Sequence, residues 1–371
     1  MSPETLDVER LREQVGAAFS PRSRAAVATA DDLCLHLCFK IVREHGLFTR
    51  EGSRETSETL RRAIGHVRDA DYLVARVVDI LRDEGYVRAL DGGGLACVRP
   101  VPANALPSLY AAADEQFPNE PFFRFVERCE RGVFDFLAGV RRGRDVIFPR
   151  GDLSLWTELH NESLVMGPYA EAVAPVVAAL TGEQAELLEF GAGTGAGTAH
   201  LLRLLEGRDI ARYTYTDLGD AFLALGRRRF ASHPFMDYAQ LDLDSDAYPV
   251  ADQSVDIAFG VNALHVARSL PRAVRRLVRA VAPGGWIVVS EGSPPAPDRS
   301  WRPNVLFGLL DGWWNVETDP EFRPQPGFLT PARWVALFRR CGLVDVQNLT
   351  AESGGTCFGG VVFGRVPATA P

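Results

Sequence analysis

The run Leu187-Leu188-Glu189-Phe190-Gly191-Ala192-Gly193-Thr194-Gly195-Ala196-Gly197 constrains this chain more than any other stretch. It reads as a short buried strand, a glycine-rich turn and the start of a helix. Glycines at alternate positions let the backbone turn with positive φ and let a ligand approach the main chain where a Cβ would collide. Glu189 ends the strand two residues before the first glycine, so its carboxylate is expected to be exposed to whatever lies over the loop.

Alone, the run is ambiguous: Gly191-x-Gly193-x-x-Ala196 also satisfies the relaxed dinucleotide fingerprint, with Asp217 at about the expected distance. Three features favour S-adenosylmethionine (SAM) over a nicotinamide or flavin. A strand-end acid suits a ligand carrying an ammonium and a sulfonium and repels a pyrophosphate. Gly195 comes one residue early for the dinucleotide pattern. Downstream, Ala282-Pro-Gly-Gly-Trp-Ile-Val-Val-Ser290 gives a helix end, a tight turn and an apolar strand, and resembles the fifth strand of class I methyltransferases.

With 371 residues, 46% hydrophobic and 24% charged, the chain is long enough for two domains, or for one with a large appendage. No window approaches the roughly 18 apolar residues of a membrane span. The start MSPETLDVERLRE is too acidic for a signal peptide, so a cytoplasmic location and no membrane partner are expected. Cys34, Cys38, Cys97, Cys129, Cys341 and Cys357 form no CxxC pair; buried free thiols are expected, and no metal. A formal charge of −8 argues against a polyanionic partner.

The first 105 residues read as helices, with apolar positions at Leu33, Leu37 and Ile41 and again at Leu73, Val77 and Ile80, followed by a hairpin around Asp91-Gly92-Gly93-Gly94. This resembles a winged helix. A DNA-reading wing needs a basic footprint, and residues 1–100 carry 15 Lys and Arg against 16 Asp and Glu, so nucleic acid is not the expected partner. Dimerisation, giving a homodimer, or substrate capping is left for this module. Residues 106–180 continue as a helical connector or lid, including a helix carrying Trp156, Leu159 and His160 and a last helix whose Tyr169 could fold over the methionine end of the cofactor.

From 181 to 371 strand and helix alternate. Strands are expected at 187–190, 212–216, 236–241, 255–260, 285–290, 343–349 and 357–364, with helices between the first five and an antiparallel hairpin at one edge. The fold class is α/β: a seven-stranded, Rossmann-like SAM-methyltransferase sheet with a mainly helical N-terminal domain. Residues 293–303 and 317–331 read as long connections of the kind that serve a site.

Ligands of open α/β sheets lie across the carboxyl ends of the strands. Strand ends therefore select Glu189 with Gly191, Gly193 and Gly195; Asp217 with Leu218, for the ribose hydroxyls; Asp242 with Leu243, for the adenine amino group; and Asn262. Asp244 and Asp246 are expected to face solvent. His265 and Glu291 end the fourth and fifth strands. They are 26 residues apart, yet a right-handed crossover makes their strands neighbours at about 4.8 Å. A carboxylate on one ring nitrogen fixes the tautomer and raises the basicity of the other, as a general base requires. Trp313 and Trp314 are candidates for the substrate pocket wall. Arg272, Arg275, Arg276 and Arg279 share one helix face, which reads as solvated or as a dock for an acidic carrier protein.

Together, Glu189-Phe-Gly-Ala-Gly-Thr-Gly, Tyr213-Thr-Tyr-Thr-Asp217-Leu, Asn262-Ala-Leu-His265, Ala282-Pro-Gly-Gly285 with Glu291, and Phe307-Gly-Leu-Leu-Asp-Gly-Trp-Trp314 resemble the C-methyltransferase domains of polyketide synthases. The resemblance implies a catalytic pair at His265 and Glu291, and SAM methylation of the α-carbon of a β-ketoacyl thioester on a carrier protein. No ketosynthase or carrier segment accompanies these motifs, so a free-standing enzyme is expected. Its substrate could then also be a small phenol, enol or amino acid, with C- or O-methylation. A non-catalytic SAM-binding protein is the alternative outside enzymes.

Overall fold

The computed structural model describes residues 6–295 and 301–368. Three short strands, β1 (Arg54–Glu55), β2 (Val87–Ala89) and β3 (Leu95–Cys97), form a small antiparallel sheet in the order β1-β3-β2. The β2–β3 hairpin lies where the sequence signals it; β1 is too short to show an alternation.

Seven further strands form the main sheet: β4 (Ala185–Glu189), β5 (Ile210–Asp217), β6 (Met236–Gln240), β7 (Val255–Val261), β8 (Val281–Gly292), β9 (Val344–Ser353) and β10 (Thr356–Arg365). Their order is β6-β5-β4-β7-β8-β10-β9, parallel from β6 to β8 and antiparallel from β8 through β10 to β9. The chain runs outward from β4 to β6 and returns on the other side of β4 at β7. That reversal opens a crevice at the carboxyl ends of β4 and β7.

Side chains alternate across a strand, so Leu187 and Leu188 of β4 enter different cores. Leu187 joins the large one, with Val15, Phe125, Val173 and Phe363 from the N-terminal helices and the far strands. Leu188 joins the other, with Val274 of helix Leu270–Ala280 and Trp334 of helix Pro331–Arg340. The N-terminal helices thus cover one face of the sheet, and helix Val8–Ala18 packs on helix Gly167–Leu180 and on β9.

One expected helix is missing: residues 241–254, between β6 and β7, are a loop. Asp242 Oδ1 accepts from Asp244 N at 2.8 Å and Ser245 Oγ from Ala247 N at 3.2 Å. Such local bonds compete with helical ones. Of the connection at 293–303, residues 296–300 lie outside the described residues. In the segment 317–331 a bridge joins Asp319 and Arg323. Among the described residues no helix is long and apolar enough to cross a membrane.

Candidate active site

The glycine loop turns through positive φ at Gly191 (61°), Gly193 (55°) and Gly195 (75°). At Gly191 a Cβ would lie 2.5 Å from that of Ala263, and at Gly195 one would lie 2.6 Å from the Phe230 ring, so any side chain there would force the loop apart. The loop borders a cavity of about 580 Å³ across the strand ends, lined by Glu189, Asp217, Asp242 and Asn262 among others.

Glu189 corrects the expectation of an exposed carboxylate. It is 1% exposed and forms part of the floor. Tyr213 Oη donates to its Oε2 at 2.6 Å, as does Thr198 Oγ1, and burial still pushes the carboxyl up to about 7. Asp217 accepts from Gly193 N (2.9 Å) and Gly219 N (2.8 Å), one on each oxygen, which leaves each oxygen lone-pair capacity for a further donor. Burial raises its pKa. Leu218 stays 60% exposed and Val266 40%, both at the cavity, with Leu243 lining it too. Asn262, at φ 46°, accepts from Gly292 N on Oδ1 at 2.9 Å, while its buried Nδ2 has no partner. An unpaired donor, spare carboxylate lone pairs and open apolar side chains fit a ligand with a carboxylate, a hydroxylated sugar and a flat base.

Other site assignments need correction too. Tyr169 is buried away from the cavity: its hydroxyl donates to Phe358 O at 2.6 Å and its ring packs edge-on against Phe19. Asp244 is half-buried: it lines the cavity and its carboxylate accepts from Arg268 N at 2.9 Å. Asp246 is exposed and takes Arg272 (2.8 Å) and Arg276, and Arg279 pairs with Asp252 at 2.7 Å, so most of the arginine stripe is spent on the chain's own aspartates.

The parallel pairing of Val261 with Ser290 sets the ends of β7 and β8 side by side. Beyond β7 the chain enters a 3-10 turn, Leu264–Val266, and the N–H groups of Ala263, Leu264 and His265 converge on Glu291 Oε1 at 3.2, 2.9 and 3.3 Å. The other oxygen, Oε2, lies 2.7 Å from His265 Nδ1. A carboxylate can only accept, so Nδ1 carries the proton and Nε2 presents its lone pair. That Nε2 is buried without a partner. His265 does not itself line the cavity, although Ala263, Val266 and Ala267 do. Trp313 (4.9 Å between ring centroids) and Phe328 (4.6 Å) close over the imidazole edge-on. Trp313 is therefore a cover on the histidine and no wall of the open cavity; Trp314 stacks on Tyr72 at 6.2 Å, also outside the cavity.

Sequence reasoning missed Arg323. It is 2% exposed, and its guanidinium donates to the carbonyls of His265 (3.0 Å), Ala267 (2.8 Å), Arg268 and Glu317 (2.9 Å). One planar fork thus staples the turn that carries His265 to the segment after Trp314, and burial lowers its pKa to about 10. Its only signal is its place in a long connection. Also missed was a latch between helix Ser154–Asn161 and the glycine loop: Asn161 Nδ2 donates to Thr194 Oγ1 at 2.8 Å, and Arg229 donates to Asn161 Oδ1 (2.5 Å) and Thr194 O (2.8 Å).

The fold is that of the class I SAM-dependent methyltransferases. A family model described as a methyltransferase domain matches residues 188–287, and the solved structures the chain resembles include two carbon methyltransferases and the CMeT domain of the citrinin polyketide synthase. The crystal structure of DszA carbon methyltransferase aligns with a TM-score of 0.83 over 97% of both chains at 25% identity. That of CurJ carbon methyltransferase gives 0.84 over 97% of both chains at 23% identity. Polyketide synthase ThaG of Burkholderia thailandensis is 30% identical over 255 residues, which are 66% of this chain and 4% of ThaG. The chain spans a small part of the length of the curated relatives it matches.

Proposed function

We propose that this methyltransferase alkylates carbon, taking as substrate a β-ketoacyl thioester on a carrier protein, with His265 as general base and Glu291 as its anchor. One observation carries the reading: a buried imidazole held by a carboxylate at 2.7 Å, with its other nitrogen unpaired, at strand ends beside the cofactor cavity. Bound SAM supplies an electrophilic sulfonium methyl. The protein then has only to make a carbon nucleophilic and align it. An α-proton flanked by two carbonyls is acidic enough to pass to Nε2 of His265. The imidazolium formed is stabilised by Glu291, whose other oxygen is tied down by three backbone N–H groups. Nε2 is buried and Trp313 and Phe328 pack on the imidazole, so in this reading the substrate reaches the base only once the cover over it moves.

In this reading Asp217 accepts the ribose hydroxyls above Leu218. Asp242 and Leu243 hold the adenine. Glu189, Asn262 and the backbone of Gly191, Gly193 and Gly195 hold the methionine end, and the helical segment 106–180 caps the site through Trp156, His160, Met166 and Ala170. Likeness to the carbon methyltransferase DszA and to the polyketide synthase ThaG supports the carbon acceptor. The test is incubation with SAM and β-ketoacyl thioesters, free and carrier-bound, followed by NMR of the product. A new C–CH₃ at the α-carbon is expected. An O–CH₃ would replace the reading with O-methylation, and absence of S-adenosylhomocysteine would sink catalysis on these substrates.

A further inference from the structure

Helix Ser154–Asn161 presents two aromatic side chains, Trp156 and His160, to the same cavity as Glu189, Gly193 and Thr194. Neither has a part in the chemistry above. His160 Nδ1 lies 2.9 Å from Trp156 O, one helical turn back. A carbonyl can only accept, so the proton sits on Nδ1 and Nε2 is left as an acceptor. The Trp156 ring, 4.6 Å from the imidazole, restricts the ring further. Burial lowers the pKa of His160, which keeps the ring neutral.

The helix is pinned to the floor of the site. The next residue, Asn161, is hydrogen-bonded to Thr194 in the glycine loop and locked there by Arg229. His160 is therefore registered against the loop, with which it shares the lining of the cavity. The cofactor's hydrogen-bond donors are its ribose hydroxyls, its adenine amino group and its α-ammonium. Asp217 and Asp242, on the strands beyond β4, serve the first two. Glu189 faces the ammonium from the floor of the cavity, and a group with three N–H donors has room for a second acceptor above the loop.

We propose that His160 is a cofactor-binding residue, its Nε2 accepting a hydrogen bond from the α-ammonium of SAM. The assignment rests on the reading of the cavity as the SAM site and adds to it a recognition element from the helical region. A neutral imidazole suits a doubly cationic ligand, since it accepts without adding positive charge. The Asn161–Thr194–Arg229 latch then has a functional sense: it fixes the distance from helix to loop.

Titration calorimetry tests this with three ligands that differ only at the methionine end: S-adenosylhomocysteine, its des-amino analogue and 5′-methylthioadenosine. In His160→Ala, affinity for S-adenosylhomocysteine should fall by about tenfold, the scale of one charge-assisted hydrogen bond. Affinity for the other two ligands should stay within about twofold, a difference within the scatter expected of such contacts. His160→Gln, which retains an acceptor, should recover part of the loss. Equal losses for all three ligands would make His160 a packing residue, and a loss shared by the des-amino analogue would assign it to the carboxylate; either overturns the proposal. An unchanged S-adenosylhomocysteine affinity in the variant also overturns it, leaving the cofactor site intact. Failure of the unaltered protein to bind any of the three would instead strike the cofactor site itself.

Discussion

Asp217, Asp242 and Asn262 surround an open cavity with hydrogen-bonding capacity to spare, whereas His265 and Glu291, on neighbouring strand ends, lie under two aromatic rings with every polar side-chain atom paired except Nε2. The first region is shaped to be filled by a ligand. The second is already assembled and needs only to be uncovered. Binding and turnover should therefore come apart under mutation, and each substitution below can break or sharpen that division.

The largest effect is expected from His265→Ala. Loss of a general base costs roughly 10²- to 10⁴-fold in rate, so turnover should nearly vanish while the SAM dissociation constant stays within a few-fold. If SAM binding collapsed too, the histidine would belong to the fold and the two regions could not be separated. Glu291→Gln should follow closely. The amide keeps the shape but can turn an N–H toward Nδ1, which favours the wrong tautomer. Turnover should fall by about two orders of magnitude or more, with binding again spared; full activity would show that the carboxylate does not set the ring.

Asp217→Ala probes the other side and should invert the pattern. Two ribose hydroxyls lose a charged acceptor, at about 1.5 to 3 kcal/mol for a bond of this kind, so SAM affinity should drop by at least tenfold. The rate at saturating SAM should change little. An unaltered dissociation constant would remove Asp217 from the cofactor site.

Arg323→Lys is a milder test of the same division. An ammonium cannot span the four carbonyls that the guanidinium reaches. The turn carrying His265 should loosen, with turnover falling by roughly tenfold, the worth of one or two net hydrogen bonds, and SAM affinity unaffected. Equal falls in both would mean that the staple merely supports the whole domain.

The same division marks what could be seen in the sequence. Strand ends are legible because alternating apolar segments fix the strands, and the handedness of the crossover makes β7 and β8 neighbours, so His265 and Glu291 fall side by side. Contacts made by segments that return from elsewhere are not legible. Arg323 and Asn161 carry no periodic signature, and their roles come from the tertiary path of a loop and a short helix. The nearness of its helix to the loop suggests a cofactor role for Tyr169, but nearness says nothing of rotation: the ring faces Phe19 and the far strands. A strand end is open at its tip, which predicts an exposed Glu189; Tyr213, on the neighbouring strand, and Thr198, on the following helix, cover it. The absent helix between β6 and β7 follows from local aspartate and serine bonds that outcompete helical ones.

Glu189 gives the smallest and most discriminating effect, because its proton couples binding to pH without touching the base. Burial raises its carboxyl from an ordinary 4.5 to about 7. The folded, ligand-free chain thus holds this proton to higher pH than the unfolded chain does. The contribution of Glu189 to stability is accordingly lost as pH rises from about 4.5 to about 7, and is flat above. Cofactor binding should run the other way. Below the α-amino range of about 7.7 to 8.0 the ligand's own charge is constant, so SAM affinity should climb toward pH 7 as the carboxylate forms beneath it, and then level off. Glu189→Gln should flatten both curves: melting temperature should lose part of its decline over that window, and SAM affinity should fall by a few-fold above pH 7, the scale of a partly screened charge, and be nearly unchanged at pH 5. Parallel curves for variant and parent would show that the floor acid does not sense the cofactor. A shift in the pH dependence of turnover with binding unmoved would place it on the side of the base instead.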